Sequence, residues 1–151
     1  MLCYYRVNYY LLECLLTMPL LSNHERVVLT RATMNHLDQW KLPEETVYCL
    51  LALAATGEAL PLASFRDDVP FPSHPETLRR MEYLLRIADA LRTTFPTSPQ
   101  MGARWIHQSN RRLAGRSPLA VMLEGEAGLV AVLSHLDCSF AWDETARGSL
   151  S

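Results

Sequence analysis

The sequence predicts an all-α protein, and three observations support this. Apolar side chains recur at helical spacing in the longest segments, above all between Leu78 and Phe95. No stretch shows the sustained two-residue alternation with β-branched enrichment that is typical of strands. The chain has 151 residues, of which 49% are hydrophobic and 20% charged, a composition typical of a folded protein. That length suits one ordinary domain or two very small ones.

The helices can be placed in order along the chain. Val28 to Trp40 is the first, and Leu42-Pro43-Glu44-Glu45 opens a second, because proline and carboxylates suit a first helical turn. A short third helix is expected to end near Phe65. After a proline-rich break, Ser73 and Glu76 predict a capping box for a long helix that stops before Pro96. Further helices carry Trp105 and run from Glu126 to Phe140.

The connection before the last two helices is the most informative segment. Gly115 provides a tight turn, Ser117 an N-cap and Pro118 a first helical position. Asn110 and three arginines edge this corner. Those arginines, with Arg104 nearby, are either an ordinary solvated surface or a contact patch for carboxylates or for the edge of a nucleotide-binding cleft. The three arginines are Arg111, Arg112 and Arg116.

This segment resembles the C-terminal toxin-binding domain of Xre/MbcA/ParS-type antitoxins, over roughly residues 78–140 and more weakly upstream from Val28. The residues that carry the resemblance are Trp105, Asn110, Leu113, Gly115, Pro118, Leu119, Leu123, Gly128, Leu129, Val132, Leu133 and Leu136. The resemblance implies a degenerate helix-turn-helix-like N-terminal part followed by a small C-terminal helical toxin-binding domain. We therefore divide the chain into an N-terminal extension (1–22), a helix-turn-helix-like domain (23–68), a toxin-binding domain (73–142) and a flexible tail (143–151).

The resemblance also implies a function. The chain is expected to be an antitoxin without enzymatic activity, which neutralises a cognate toxin by covering its active-site cleft. A RES-type, NAD-consuming protein related to ADP-ribosyltransferases is the implied toxin, and family proteins also form homodimers. The expected toxin-binding residues are Asn110, Arg111, Arg112, Leu113, Gly115, Arg116 and Trp142.

The alternative is a DNA-binding transcriptional regulator, or autorepressor, without a toxin partner. The segment at the position of a recognition helix, residues 54–65, has no Arg or Lys, yet affinity for DNA depends largely on contacts between cations and phosphates. The net charge of −2 gives no general attraction to nucleic acid either. Operator binding would rest on the flanking cations Arg26, Arg31, Lys41 and Arg66.

Other classes find no support in the sequence. Motifs of hydrolases, nucleotide-binding loops and zinc proteases are absent, and the five histidines show no ligand spacing, so neither a cofactor nor a metal is expected. Residues 1–21 are apolar but are interrupted by Arg6 and Glu13, which argues against a membrane span or signal peptide, and Met18 offers an alternative start. The four cysteines lack motif spacing and are expected as buried, reduced thiols in a cytoplasmic protein.

Overall fold

Residues 21–57 and 60–148 contain six α-helices, which confirms the all-α prediction. In this computed structural model the backbone is described for residues 21–57 and 60–148, and the side chains of these ranges up to residue 137. Within them no strand occurs. The helices are α1 (Asn23–Gln39), α2 (Glu44–Leu50), α3 (Pro75–Thr94), α4 (Pro99–His107), α5 (Pro118–Met122) and α6 (Glu126–Gly148). The N-terminal extension lies outside the described residues, apart from its last two positions.

Helix α1 begins at Asn23, five residues before the predicted start at Val28. Ser22 caps it through a capping box, in which the Glu25 amide donates to Ser22 Oγ (3.2 Å) and the Ser22 amide donates to Glu25 Oε2 (2.7 Å). The backbone N–H and hydroxyl of Ser22 also lower the pKa of the Glu25 carboxyl. Because this first turn is polar, apolar periodicity alone could not locate it.

The short third helix predicted near Phe65 forms as a 3-10 helix rather than an α-helix, with Pro61 as its N-cap. Two short 3-10 helices, Leu53–Thr56 and Leu62–Arg66, occupy this part of the chain. The left-handed backbone at Ala52 (φ 52°) and Gly57 (φ 71°) ends the helical path on both sides of the first one. Leu62 and Phe65 are buried, so the second one serves to fill the core.

The predicted capping box at the start of α3 is also wrong. His74 is the N-cap and makes no side-chain capping bond, while the Glu76 carboxylate accepts a hydrogen bond from Arg80 (2.6 Å). The predicted apolar stripe of α3 is confirmed at its centre, where Met81, Leu84, Ala88 and Leu91 are 1–5% exposed. Ile87, which the prediction left out of the stripe, is also fully buried.

One hydrophobic core includes side chains from α1 through α6, with α3 contacting both α1 and α6. The proline-rich segment before α3 is attached to α1, because the Phe71 amide donates to Thr30 Oγ1 (2.9 Å) and Arg26 donates to the Phe71 carbonyl (2.8 Å). Core packing is therefore continuous across the predicted boundary between residues 68 and 73, and the division into two domains stays a prediction.

Helix α6 extends to Gly148, past the predicted helix end at Phe140 and into the stretch expected to be a tail. Its buried residues Leu129, Val132, Leu133 and Leu136 fall on one side, as their spacing predicts. Among the described residues, none of the helices combines the length and apolar character that crossing a bilayer requires.

Candidate functional site

The corner between α4 and α5, residues 108–117, is a closed and well-bonded loop. The backbone N–H of Asn110 donates to the Arg116 carbonyl (2.9 Å), and the backbone carbonyl of Asn110 accepts from the N–H groups of Leu113 and Gly115 (3.0 Å each). Gly115 has a φ of 76°, which confirms the predicted turn. Ser117 caps α5 by accepting from the Ala120 amide (3.2 Å), as predicted. The corner is thus held in shape by its own backbone.

The side chain of Asn110 joins this loop to α6. Its Oδ1 accepts from the Arg112 amide (2.9 Å), which fixes the orientation of the carboxamide and directs Nδ2 toward His135 Nε2 (3.3 Å). Since an amide nitrogen only donates, His135 Nε2 must accept and the imidazole must be neutral. The hydrogen bond that joins the corner to α6 therefore depends on the protonation state of a histidine 25 residues further along the chain.

His135 is a residue of the site that the sequence interpretation missed, since it was expected to lie on the surface or to cap a helix. Its ring stacks on Trp105, with the ring centroids 6.0 Å apart and the planes within 5°. Burial and, secondarily, the charge of Arg112 lower the pKa of His135. The signal was the α6 periodicity, because Gly128, Val132 and His135 fall on one inward face at helical spacing.

The arginines of the corner differ in what they contact. Arg111 and Arg112 are exposed, and neither forms an ion pair with a carboxylate of the described residues. Arg116 pairs with Glu124 in the turn between α5 and α6, so its guanidinium is partly neutralised. Two unneutralised positive charges thus stand side by side on a fixed loop, a geometry suited to carboxylate or phosphate groups.

The other predicted contact residues surround this pair in different ways. Leu113 is half-buried and packs against the core, while Gly115 is exposed. Arg104 is exposed one turn before the end of α4. The indole of Trp142 lies outside the described side chains, so its predicted contact stays a prediction. Leu123 is 42% exposed in the turn that follows α5 and adds an apolar side chain near Glu124.

Most of the cations predicted for DNA have structural partners. Arg26 and Arg31 donate to backbone carbonyls of the proline-rich segment and the residues before it, and Arg31 also pairs with Asp68. Arg66 forms a bidentate ion pair with Asp38 (2.6 and 2.9 Å), which lowers the pKa of the Asp38 carboxyl. Lys41 is exposed at the end of α1 and forms no ion pair with a carboxylate of the described residues.

The groups that metal or thiol chemistry would need are not brought together. Within residues 21–57 and 60–148, no cluster of three or more His, Cys, Asp or Glu has the arrangement of a metal site. Cys49 is an exposed free thiol, so the prediction of burial is wrong for this residue. The side chains of Cys3, Cys14 and Cys138 lie outside the described part.

The corner thus offers a fixed, positively charged surface on a helical scaffold. Residues 90–138 match the family model described as the antitoxin Xre/MbcA/ParS C-terminal toxin-binding domain. This confirms the resemblance for α4, α5, the corner and the first half of α6. The match does not include α1 or α2. Comparison with curated proteins and with solved structures gives no match.

Proposed function

We propose that this chain is an antitoxin that neutralises a RES-type, NAD-consuming toxin related to ADP-ribosyltransferases by occluding its active-site cleft. The observation that carries the proposal is the corner itself, a preformed loop inside the segment that matches the toxin-binding domain. In this loop Arg111 and Arg112 are exposed and form no ion pair with a described carboxylate. A binding domain of this family needs no cofactor, and we propose none.

The geometry favours tight docking for two physical reasons. Because backbone bonds already order the loop, binding costs little additional conformational entropy. The two guanidinium groups can pair with carboxylates at the rim of a cleft, while the bulk of the corner blocks the entry of an anionic dinucleotide. Such pairs become stronger once the partner excludes water from them.

The test is rescue of growth when the chain is co-expressed with its cognate toxin. Replacing Arg111 and Arg112 with Glu is expected to abolish rescue, because two attractive charges become repulsive. The Arg111→Lys, Arg112→Lys variant is the matched control and should retain most of the rescue. Circular dichroism should show unchanged helicity in both. Full rescue by the double Glu variant would remove the corner from the interface.

Arg116 needs a separate test because it already contacts Glu124. If Arg116 contacts the toxin, exchanging the two residues (Arg116→Glu with Glu124→Arg) preserves the internal pair and still impairs rescue. Restored rescue in the exchanged variant would limit Arg116 to holding the loop.

The same proposal places the protein in a bacterial cytoplasm and includes the homodimer that the resemblance implies. Light scattering of the purified chain tests the homodimer. For the alternative of a DNA-binding regulator, no observation gives support. The recognition-helix position holds 3-10 helices, and Arg26, Arg31 and Arg66 have protein partners. A specific gel shift with upstream DNA, at moderate salt and without toxin, would revive it.

A further inference from the structure

A groove with a volume of about 770 Å³ lies between the C-terminal end of α1, the C-terminal half of α3 and α4. The exposed or half-buried apolar side chains of its walls are Phe95, Pro96 and Pro99. The volume falls within the range of sites that hold a small ligand or a few residues of a partner chain. Helix α4 contributes Arg104 and His107 to the groove. Gln108, the first residue of the corner, also lines the groove, so the groove adjoins the corner.

The charged side chains that line the groove are all cationic. Lys41, Arg92 and Arg104 line it, and no Asp or Glu is among the lining residues described. Arg92 pairs with Asp89, which lies outside the groove lining. The described carboxylates form no ion pair with Lys41 or Arg104. Apolar walls with uncompensated cations favour an occupant that carries both apolar side chains and carboxylates.

Lys41 stands out among these cations for its backbone. It follows the end of α1 with a φ of 54°, a left-handed conformation that glycine adopts without strain and that other residues adopt at a cost. It is also the sole lysine of the chain, in which the other basic residues are arginines. A strained position occupied by a long cationic side chain, at the edge of a groove, indicates that the side chain itself is used.

We propose that the groove binds an acidic, partly apolar segment of the same toxin, as a second docking site beside the corner. The proposal rests on the proposed function, because the toxin supplies the occupant. Apolar side chains of the segment pack on Phe95, Pro96 and Pro99, while its carboxylates pair with Lys41 and Arg104. Two adjacent sites on one partner would act together, so that loss of either weakens binding.

The sole lysine allows a direct test by carbodiimide cross-linking of the complex between the full chain and the toxin. A carbodiimide activates a carboxylate, and the amine of Lys41 then displaces it to form an amide, with the carbodiimide leaving as its urea. Mass spectrometry is expected to find Lys41 joined to an Asp or Glu of the toxin. The control variant Lys41→Arg keeps the charge and should keep its toxin affinity but lose this cross-link. A Lys41 cross-link only to another copy of this chain, or none, would overturn the proposal.

Toxin affinity provides an independent test. The variant Lys41→Gln, Arg104→Gln is expected to bind the toxin about tenfold more weakly, whereas Asn23→Asp, Asn35→Asp makes the same net charge change on α1 and should not. Lys41→Gly should weaken toxin binding while maintaining or raising the melting temperature, a combination that a purely structural lysine would not give.

The outcomes separate the groove from the corner. If the Glu variants of Arg111 and Arg112 abolish binding but the groove variants bind normally, the proposed function stands and the groove site falls. If the groove variants change only self-association of the chain, the occupant is a second copy and the proposal is overturned.

Discussion

At the residue scale, Asn110 is the residue on which the corner depends. Its backbone N–H donates to the Arg116 carbonyl, and its carbonyl accepts from Leu113 and Gly115. Its carboxamide connects the Arg112 backbone to His135. The sequence indicated Asn110 as a contact residue, and the structure gives it an internal role besides: it positions the two arginines that follow it. An interface mutation here would therefore act through the shape of the loop.

The variant Asn110→Asp tests this arrangement. An Asp carboxylate still accepts from the Arg112 backbone N–H, but it also accepts where Nδ2 donated, so His135 Nε2 must carry a proton to bond to it. The nearby negative charge favours the imidazolium over the neutral tautomer that also has this proton. We expect the pKa of His135 to rise by about one unit or more relative to the unsubstituted protein. NMR titration of the His135 ring measures it.

The matched control is Asn110→Ala, which removes the donor without adding a charge and should shift the pKa of His135 far less. Equal titration of His135 in all three proteins would show that the Asn110 side chain does not face the imidazole in solution.

At the element scale, the crossing of α5 and α6 depends on one glycine. A Cβ at Gly128 would overlap the carbonyl oxygen of Val121 and lie 2.8 Å from its carbonyl carbon. Because backbone cannot move aside as a flexible side chain can, the two helices approach this closely only with glycine at position 128. Helix α6 carries His135, so this packing also sets the position of the corner.

We expect Gly128→Ala to destabilise the protein by about 1–3 kcal/mol or more, as overpacking does, despite the better helix propensity of Ala. Gly102→Ala on α4 is the matched control. Its Cβ would meet Leu91 Cβ at 3.5 Å, an ordinary contact, so this variant should be neutral or slightly stabilising. Urea unfolding measures both. Equal stability of the two variants would contradict the close crossing.

The elements also show how far the sequence allows prediction. Strong local signals worked: the apolar stripe of α3, and the Ser117-Pro118 start of α5. The capping box predicted at Ser73 does not form, because the Glu76 carboxylate bonds to Arg80. The capping box that does form, at Ser22, was not predicted. The helix expected near Phe65 forms only as a 3-10 helix, in which Leu62 and Phe65 are buried. The burial of these two side chains depends on tertiary contacts that no short window contains.

At the scale of the whole molecule, long-range arginine contacts attach α1 to the segment that precedes α3. Arg26, Arg31 and Arg66 bond to groups 28–45 residues away in the chain. In the sequence these residues were indistinguishable from a phosphate-binding set, because nothing local indicates a distant carbonyl or carboxylate. The corner arginines were identifiable because the turn chemistry around them is local.

Two histidines also give the molecule a dependence on pH. Burial, with the charge of Arg92 and against that of Asp89, lowers the pKa of His36, and burial with Arg112 lowers that of His135. The unfolded chain therefore takes up protons before the folded one does. The contribution of each neutral histidine is complete above the ordinary pKa of about 6.5 and is lost as the pH falls toward the folded-state pKa.

We therefore expect the free energy of unfolding to fall as the pH is lowered from 7.5 to 5.5. In this window Glu25 and Asp38, whose pKa values are also lowered, stay ionised and add little to the slope. Urea unfolding at several pH values measures the slope, and the variant His36→Gln, His135→Gln should flatten it. Gln at position 135 retains an acceptor for Asn110, so the corner keeps its bond. An undiminished slope in the double variant would assign the pH dependence to other groups. It would also contradict the neutral His135 that accepts the hydrogen bond from Asn110.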